Sequence, residues 1–194
     1  MKKGRHQMMN ENVELARQFD EQKKNDLRQY SADADFSYDQ LIDLWDQGVE
    51  IQVEAPDNKM PLVFGVRDKA YSLKPFNVFL NIPKLLNWIV DNIVVDAVVG
   101  EDLIPDEQAK AFKKAIKIIL DVLRSSLRAI TAEQAKILAY CFNKNAHQRA
   151  IPEEWILRDV AGATPEMLTE LDKMQCVRIN EGNVKLVEKI LLSQ

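Results

Sequence analysis

Hydrophobic and polar positions along this chain follow two different periods, and the switches between them mark the predicted elements. Residues 1–30 are polar and charged, with Leu15, Phe19, Leu27 and Tyr30 as a thin apolar stripe at helical spacing. This predicts a helix that is frayed or ordered by a partner, with a solvated tail as the plainer alternative. Ser37, followed three residues later by Gln40, is a capping box that opens a helix over 38–47. Tyr38, Leu41, Ile42 and Trp45 share its apolar face, and Gly48 stands where a helix C-terminal glycine belongs. Val49, Ile51 and Val53 then alternate with Glu50, Gln52 and Glu54, as in a half-buried strand. Leu62, Phe64 and Val66 alternate again, which predicts a β-hairpin around a loop at 55–60.

Residues 74–82, between Pro75 and Pro83, fit no single period. Pro83 suits the first turn of a helix running to Val99, with Lys84, Asn87, Asp91, Asn92 and Asp96 on one arc. Its valines and isoleucines also suit a strand. The apolar run 85–99 is shorter than the roughly 20 residues that a membrane span requires, and it carries charges, so a buried element is expected. Pro105 opens the longest predicted helix, 105–129, on which Ala109, Phe112, Ile116, Ile119, Leu123 and Leu127 recur at three- and four-residue steps.

Thr131 with Gln134 is a second capping box, and the helix behind it carries Ile137, Leu138, Cys141 and Phe142. After a loop, Pro152 starts a short helix through Trp155, Ile156 and Val160. Ala161, Gly162 and Ala163 make a tight turn, Thr164 caps the next helix, and Met167, Leu168, Leu171 and Met174 face inward. Val177 and Ile179 alternate with Arg178 and Asn180, Glu181-Gly182 makes a turn, and Val184 and Leu186 begin a return strand. By this order of elements, and by Gly162, Thr164 and Glu181-Gly182, residues 131–194 resemble the winged helix-turn-helix superfamily. The expected fold is α+β and mainly helical. It has a polar segment 1–30, an N-terminal α+β part 31–130 ending in a long amphipathic helix, and a winged-helix-like part 131–194.

The resemblance implies that the helix at 165–175 and the wing after it form a recognition surface. Charge decides between two partners for that surface. The helix carries Glu166, Glu170 and Asp172 against Lys173 alone, and carboxylates near phosphates are unfavourable. A protein partner is therefore expected at Glu166, Glu170, Asp172 and Lys173, in a non-catalytic interaction or adaptor role. The alternative is a nucleic-acid-binding regulator. Its polyanion contacts would come from Lys110, Lys113, Lys114, Lys117, Arg124 and Arg128 on the long helix, and from Arg178 and Lys185 in the wing. The chain as a whole carries a net charge of −4, which argues mildly against a free-standing nucleic-acid binder. A homo-oligomer is a further expectation.

No catalytic constellation stands out. His6 and His147 have no nucleophile or ligand at a useful spacing and are expected at the surface. Six glycines form no phosphate-cradling loop, and no cofactor is implied. Asp33, Asp35 and Asp39 have some metal-ligand character, but acidic residues before a helix also serve its dipole, so no metal is assigned. Cys141 and Cys176 read as buried thiols in a reducing compartment. Met1 to Asn10 has no apolar core, so no secretory signal is expected and the cytoplasm is the simplest address.

Overall fold

The computed structural model describes residues 2–31, 36–53, 76–93, 106–124 and 129–192. Within them the fold is α+β and mainly helical, with two small antiparallel sheets. No helix among the described residues is long and apolar enough to cross a membrane.

Helix α1 (Lys2–Asp26) is anchored through its second half. Ala16 is buried, Phe19 packs on Phe76 with ring centroids 5.0 Å apart, and Asp20 accepts the Trp45 indole N–H at 2.7 Å. Lys23 donates to the Val122 carbonyl at 2.9 Å. A short helix α2 (Arg28–Ser31) follows. Helix α3 (Tyr38–Gly48) opens on the expected capping box: Ser37 Oγ accepts from Gln40 N at 3.2 Å, and Gln40 Oε1 accepts from Ser37 N at 2.8 Å. Gly48 closes this helix for a reason the pattern did not suggest. A Cβ there would lie 2.0 Å from Leu85 Cδ2, so the glycine lets α3 and the following helix α4 approach.

Strand β1 (Val49–Val53) forms as expected, but its partner among the described residues is β2 (Phe76–Asn81), in the stretch that fitted no single period. The anticipated hairpin partner at 62–66 lies outside the described residues. Helix α4 (Ile82–Asn92) is capped by Asn81 Oδ1, which accepts from Lys84 N at 3.1 Å. It ends seven residues short of Val99, with Ile93 as its C-cap, and residues 94–99 lie outside the described set.

Helix α5 (Asp106–Leu123) buries Phe112, Ala115, Ile116 and Ile119 and packs on α4 and on helix α6 (Ala132–Asn143). It stops short of the expected 129. Arg124 adopts a left-handed φ of 50° and its N–H turns back to the Asp121 carbonyl, a three-residue step that ends the α-helical ladder. The second capping box opens α6: Thr131 Oγ1 accepts from Gln134 N at 3.1 Å.

Strand β3 (Ile151–Pro152), helix α7 (Glu153–Asp159), helix α8 (Pro165–Lys173), β4 (Val177–Asn180) and β5 (Asn183–Leu186) follow. The sheet order is β3-β5-β4. Gly162, at φ 83°, makes the turn between α7 and α8, and left-handed Gln175 at φ 61° ends the run after α8. Asn180 pairs with Asn183 across a two-residue turn in which Glu181 and Gly182 have φ of 49° and 72°, a type I′ arrangement.

The last strand, β6 (Lys189–Leu192), leaves this second sheet and pairs antiparallel with β2, giving the order β1-β2-β6. By this register Val49, Ile51, Val78, Leu80, Ile190 and Leu192 share the face turned to the core. Side chains from both sheets and from the helices between them join one continuous hydrophobic core.

Candidate interaction surfaces

The acidic residues of α8 are placed by a local cap and a buried stripe. Thr164 Oγ1 accepts from Met167 N at 3.4 Å, and Leu168 and Leu171 face the core. Glu166, Thr169, Glu170, Asp172 and Lys173 are therefore left exposed. The three carboxylates are not equivalent. Glu170 Oε2 accepts from the buried Gln134 amide at 2.9 Å, which ties α8 to the start of α6. Asp172 Oδ1 accepts from Ile179 N at 3.2 Å, which ties α8 to β4. Glu166 faces solvent, and its own amide and the Thr164 hydroxyl hold its carboxyl below the ordinary value.

The wing residues Arg178 and Lys185 are exposed and directly opposite each other in the β4–β5 register. Among the described residues neither forms an ion pair. They border a surface depression of about 420 Å³ together with Glu188 and Lys189.

The basic positions of α5 are only partly brought together. Lys110, Lys113 and Lys117 are exposed on the helix, and Lys114 is half-buried. Arg124 has left the helical backbone, and Arg128 lies outside the described residues. The charge of Lys113 reaches Glu133. That carboxyl is held low first by its own amide, then by Thr131, with Lys136 and Lys113 adding to the effect. The α5 stripe therefore runs up to an acidic neighbour.

Three features escaped the pattern analysis. Trp155, grouped with Ile156 and Val160, is 40% exposed, whereas Ile156 and Val160 are buried. Positions 156 and 160 lie one helical turn apart and share a face; adjacent positions 155 and 156 cannot. The spacing held that signal. On the same helix, Asp159 accepts from Arg158 Nε at 2.6 Å and from the Tyr140 hydroxyl at 2.7 Å. Arg158 and then Tyr140 hold the Asp159 carboxyl down at about 2.

His147 is the second. It is half-buried and stacks on Phe142 with ring centroids 5.6 Å apart, and its Nδ1 is buried without a hydrogen-bond partner. The ring is thus partly covered by Phe142 on the last turn of α6. No periodicity could reveal a single unpaired nitrogen. The third feature is a polar cleft of about 440 Å³ that runs from α3 and α4 to His147.

Asp39 sits in the first turn of α3, and Asp33 and Asp35 lie outside the described residues. Among the described residues no group of three or more His, Cys, Asp or Glu is placed to hold a metal ion. Cys141 and Cys176 are buried free thiols, and burial pushes both up to about 12. No protein-family model, curated protein or solved structure matches this chain.

Proposed function

We propose that residues 131–186 are a winged-helix unit serving a non-catalytic, protein-docking role. The element order α6, β3, α7, α8, β4, β5 and the pairing of β3 with β5 support the winged-helix reading. The observation that carries the docking role is the exposed side of α8. A nucleic-acid reader would present this helix to phosphates and base edges, yet it offers Glu166, Glu170 and Asp172 with Lys173 as the only cation. Such a face attracts a basic protein surface. The exposed Trp155 on α7 adds the kind of aromatic side chain that anchors protein interfaces.

One observation favours nucleic acid as a second reading: Arg178 and Lys185 stand in register and exposed on the wing. An NMR titration of isotope-labelled protein separates the two. An Arg- and Lys-rich helical peptide is expected to shift the amides of Glu166, Thr169, Glu170 and Lys173, and Glu166→Lys is expected to abolish that shift. Glu166 is the right position for the reversal, since Glu170 and Asp172 each hold another part of the fold. If the peptide leaves α8 unmoved while duplex DNA shifts Arg178 and Lys185 in a salt-sensitive way, the protein-docking reading is wrong and the second reading replaces it.

A further inference from the structure

Helix α5 shows only a narrow strip to solvent. Phe112, Ala115, Ile116, Ile119 and Leu123 are buried, while Lys110, Lys113 and Lys117 are exposed at steps of three and four residues. Like charges at that spacing are neighbours on a helix surface and repel one another. Among the described residues none of the three forms an ion pair. Glu107 and Asp121 lie beyond the two ends of the row, so the row itself is cationic.

The exposed side of α8 is the reverse. Glu166 and Glu170 stand one turn apart, and neither pairs with a cation among the described residues. Glu170 keeps Oε1 outside its bond to Gln134. The two surfaces are neighbours, because the first turn of α6 lies between them. Its Glu133 is within reach of the Lys113 charge, and the adjacent Gln134 donates to Glu170. The turn before α8 comes to the same place: a Cβ on Gly162 would lie 3.8 Å from Glu133 Cγ. Ala161 and Gly162 are exposed there, and their small size leaves the backbone open to close approach.

A cationic row beside an anionic face is self-complementary. Two copies related by a two-fold axis near Ala161-Gly162 set α5 of each against α8 of the other, and the symmetry makes that contact twice. We infer that the α5 row and the α8 face together form an interface between two copies of this chain. Other occupants satisfy only half of it. A basic protein covers α8 and leaves Lys110, Lys113 and Lys117 unpaired. A polyanion covers that row but meets the α8 carboxylates beside it. A second copy answers both charges at once. The self-pairing rests on the protein-docking reading of α8 and names its partner.

Sedimentation velocity of the full-length chain, over a range of protein and salt concentrations, tests the pairing. A species of twice 22.3 kDa is expected at low salt and should dissociate as salt rises. Lys113→Glu and Glu166→Lys alter exposed side chains, and circular dichroism checks that each variant keeps the fold. Each is expected to weaken the dimer by about tenfold or more, since each sets like charges face to face at both contacts. Mixed in equal amounts, the two variants should pair again at close to the original strength. One contact then carries the unaltered charges, and the other carries the same charges exchanged. A chain that stays single at every concentration in low salt overturns the inference. So does a dimer that neither variant weakens, or a pair of folded variants that do not associate on mixing. If the chain stays single while the Arg- and Lys-rich peptide still shifts the Glu166 amide, the docking role stands and only the self-pairing falls.

Discussion

Glu50 on β1 and Lys189 on β6 form an ion pair of 2.5 Å, although the two strands are not paired with each other and both flank β2. The same carboxylate accepts from Asn81 at 2.9 Å and from Lys84 at 3.2 Å. One side chain thus joins the first strand, the cap of α4 and the last strand. Lys189, with Asn81 and Lys84, holds the Glu50 carboxyl down at about 2.

The sign of the pH dependence follows from that depression. Glu50 stabilises the fold fully above its unfolded value of 4.5, and the contribution is lost as pH falls from there toward about 2. Lys84 and Lys189 are 55% and 40% exposed, so solvent screening reduces the contribution to about 1–2 kcal/mol. Urea unfolding should show Glu50→Gln less stable by that amount at pH 7 and equal to the unaltered protein near pH 2. A difference that persists undiminished at low pH would exclude charge as its origin.

Gly48 should tolerate no side chain. The methyl of Gly48→Ala would fall 2.0 Å from Leu85 Cδ2, and Leu85 is fully buried, so α3 and α4 must move apart. A loss of about 2–3 kcal/mol is expected from urea midpoints, at the upper end of overpacking effects. Adding Leu85→Ala to that variant should recover part of the loss; a purely additive pair would point to backbone conformation instead.

Glu181 occupies a left-handed position that favours asparagine or glycine. With Gly182 it forms the type I′ turn between β4 and β5. Glu181→Asn is expected to raise stability by about 0.5–1 kcal/mol, because asparagine adopts that backbone at lower cost. Thermal unfolding of the two proteins side by side is sufficient to see it.

The two cysteines should be silent in the folded protein. Burial pushes both thiols up to about 12 and leaves little thiolate near neutral pH. A thiol-reactive reagent at pH 8 is expected to label neither Cys141 nor Cys176 until denaturant is added. Rapid labelling of one site without denaturant would locate a region that opens on its own.

The capping motifs were the most legible features, because their bonds span three residues. Ser37 with Gln40, Thr131 with Gln134, and Thr164 before Pro165 each start a helix within one residue of the expected place. What the pattern could not supply was long-range pairing. The alternation in Val49–Val53 declares a strand but does not say that Phe76–Asn81 lies beside it, or that Lys189–Leu192 returns to the same sheet. Helix ends set by backbone conformation, as at Arg124, were also hidden, since arginine gives no sign of a left-handed φ. For the candidate sites, charge on α8 was plain from composition. The internal bonds of Glu170 and Asp172, and the polar cleft that reaches His147, depend on neighbours that only the folded chain brings together.

The return of β6 to β2 also orders events during synthesis. A ribosome releases β1 and β2 well before residues 189–192, so for most of translation the first sheet has an edge without its third strand. Such an edge is open to pairing with other chains. The intervening helices can form locally and wait, but the sheet closes only when Lys189 emerges and reaches Glu50. A nascent chain stopped short of that residue would carry a nearly complete set of elements and still be unfinished at its beginning.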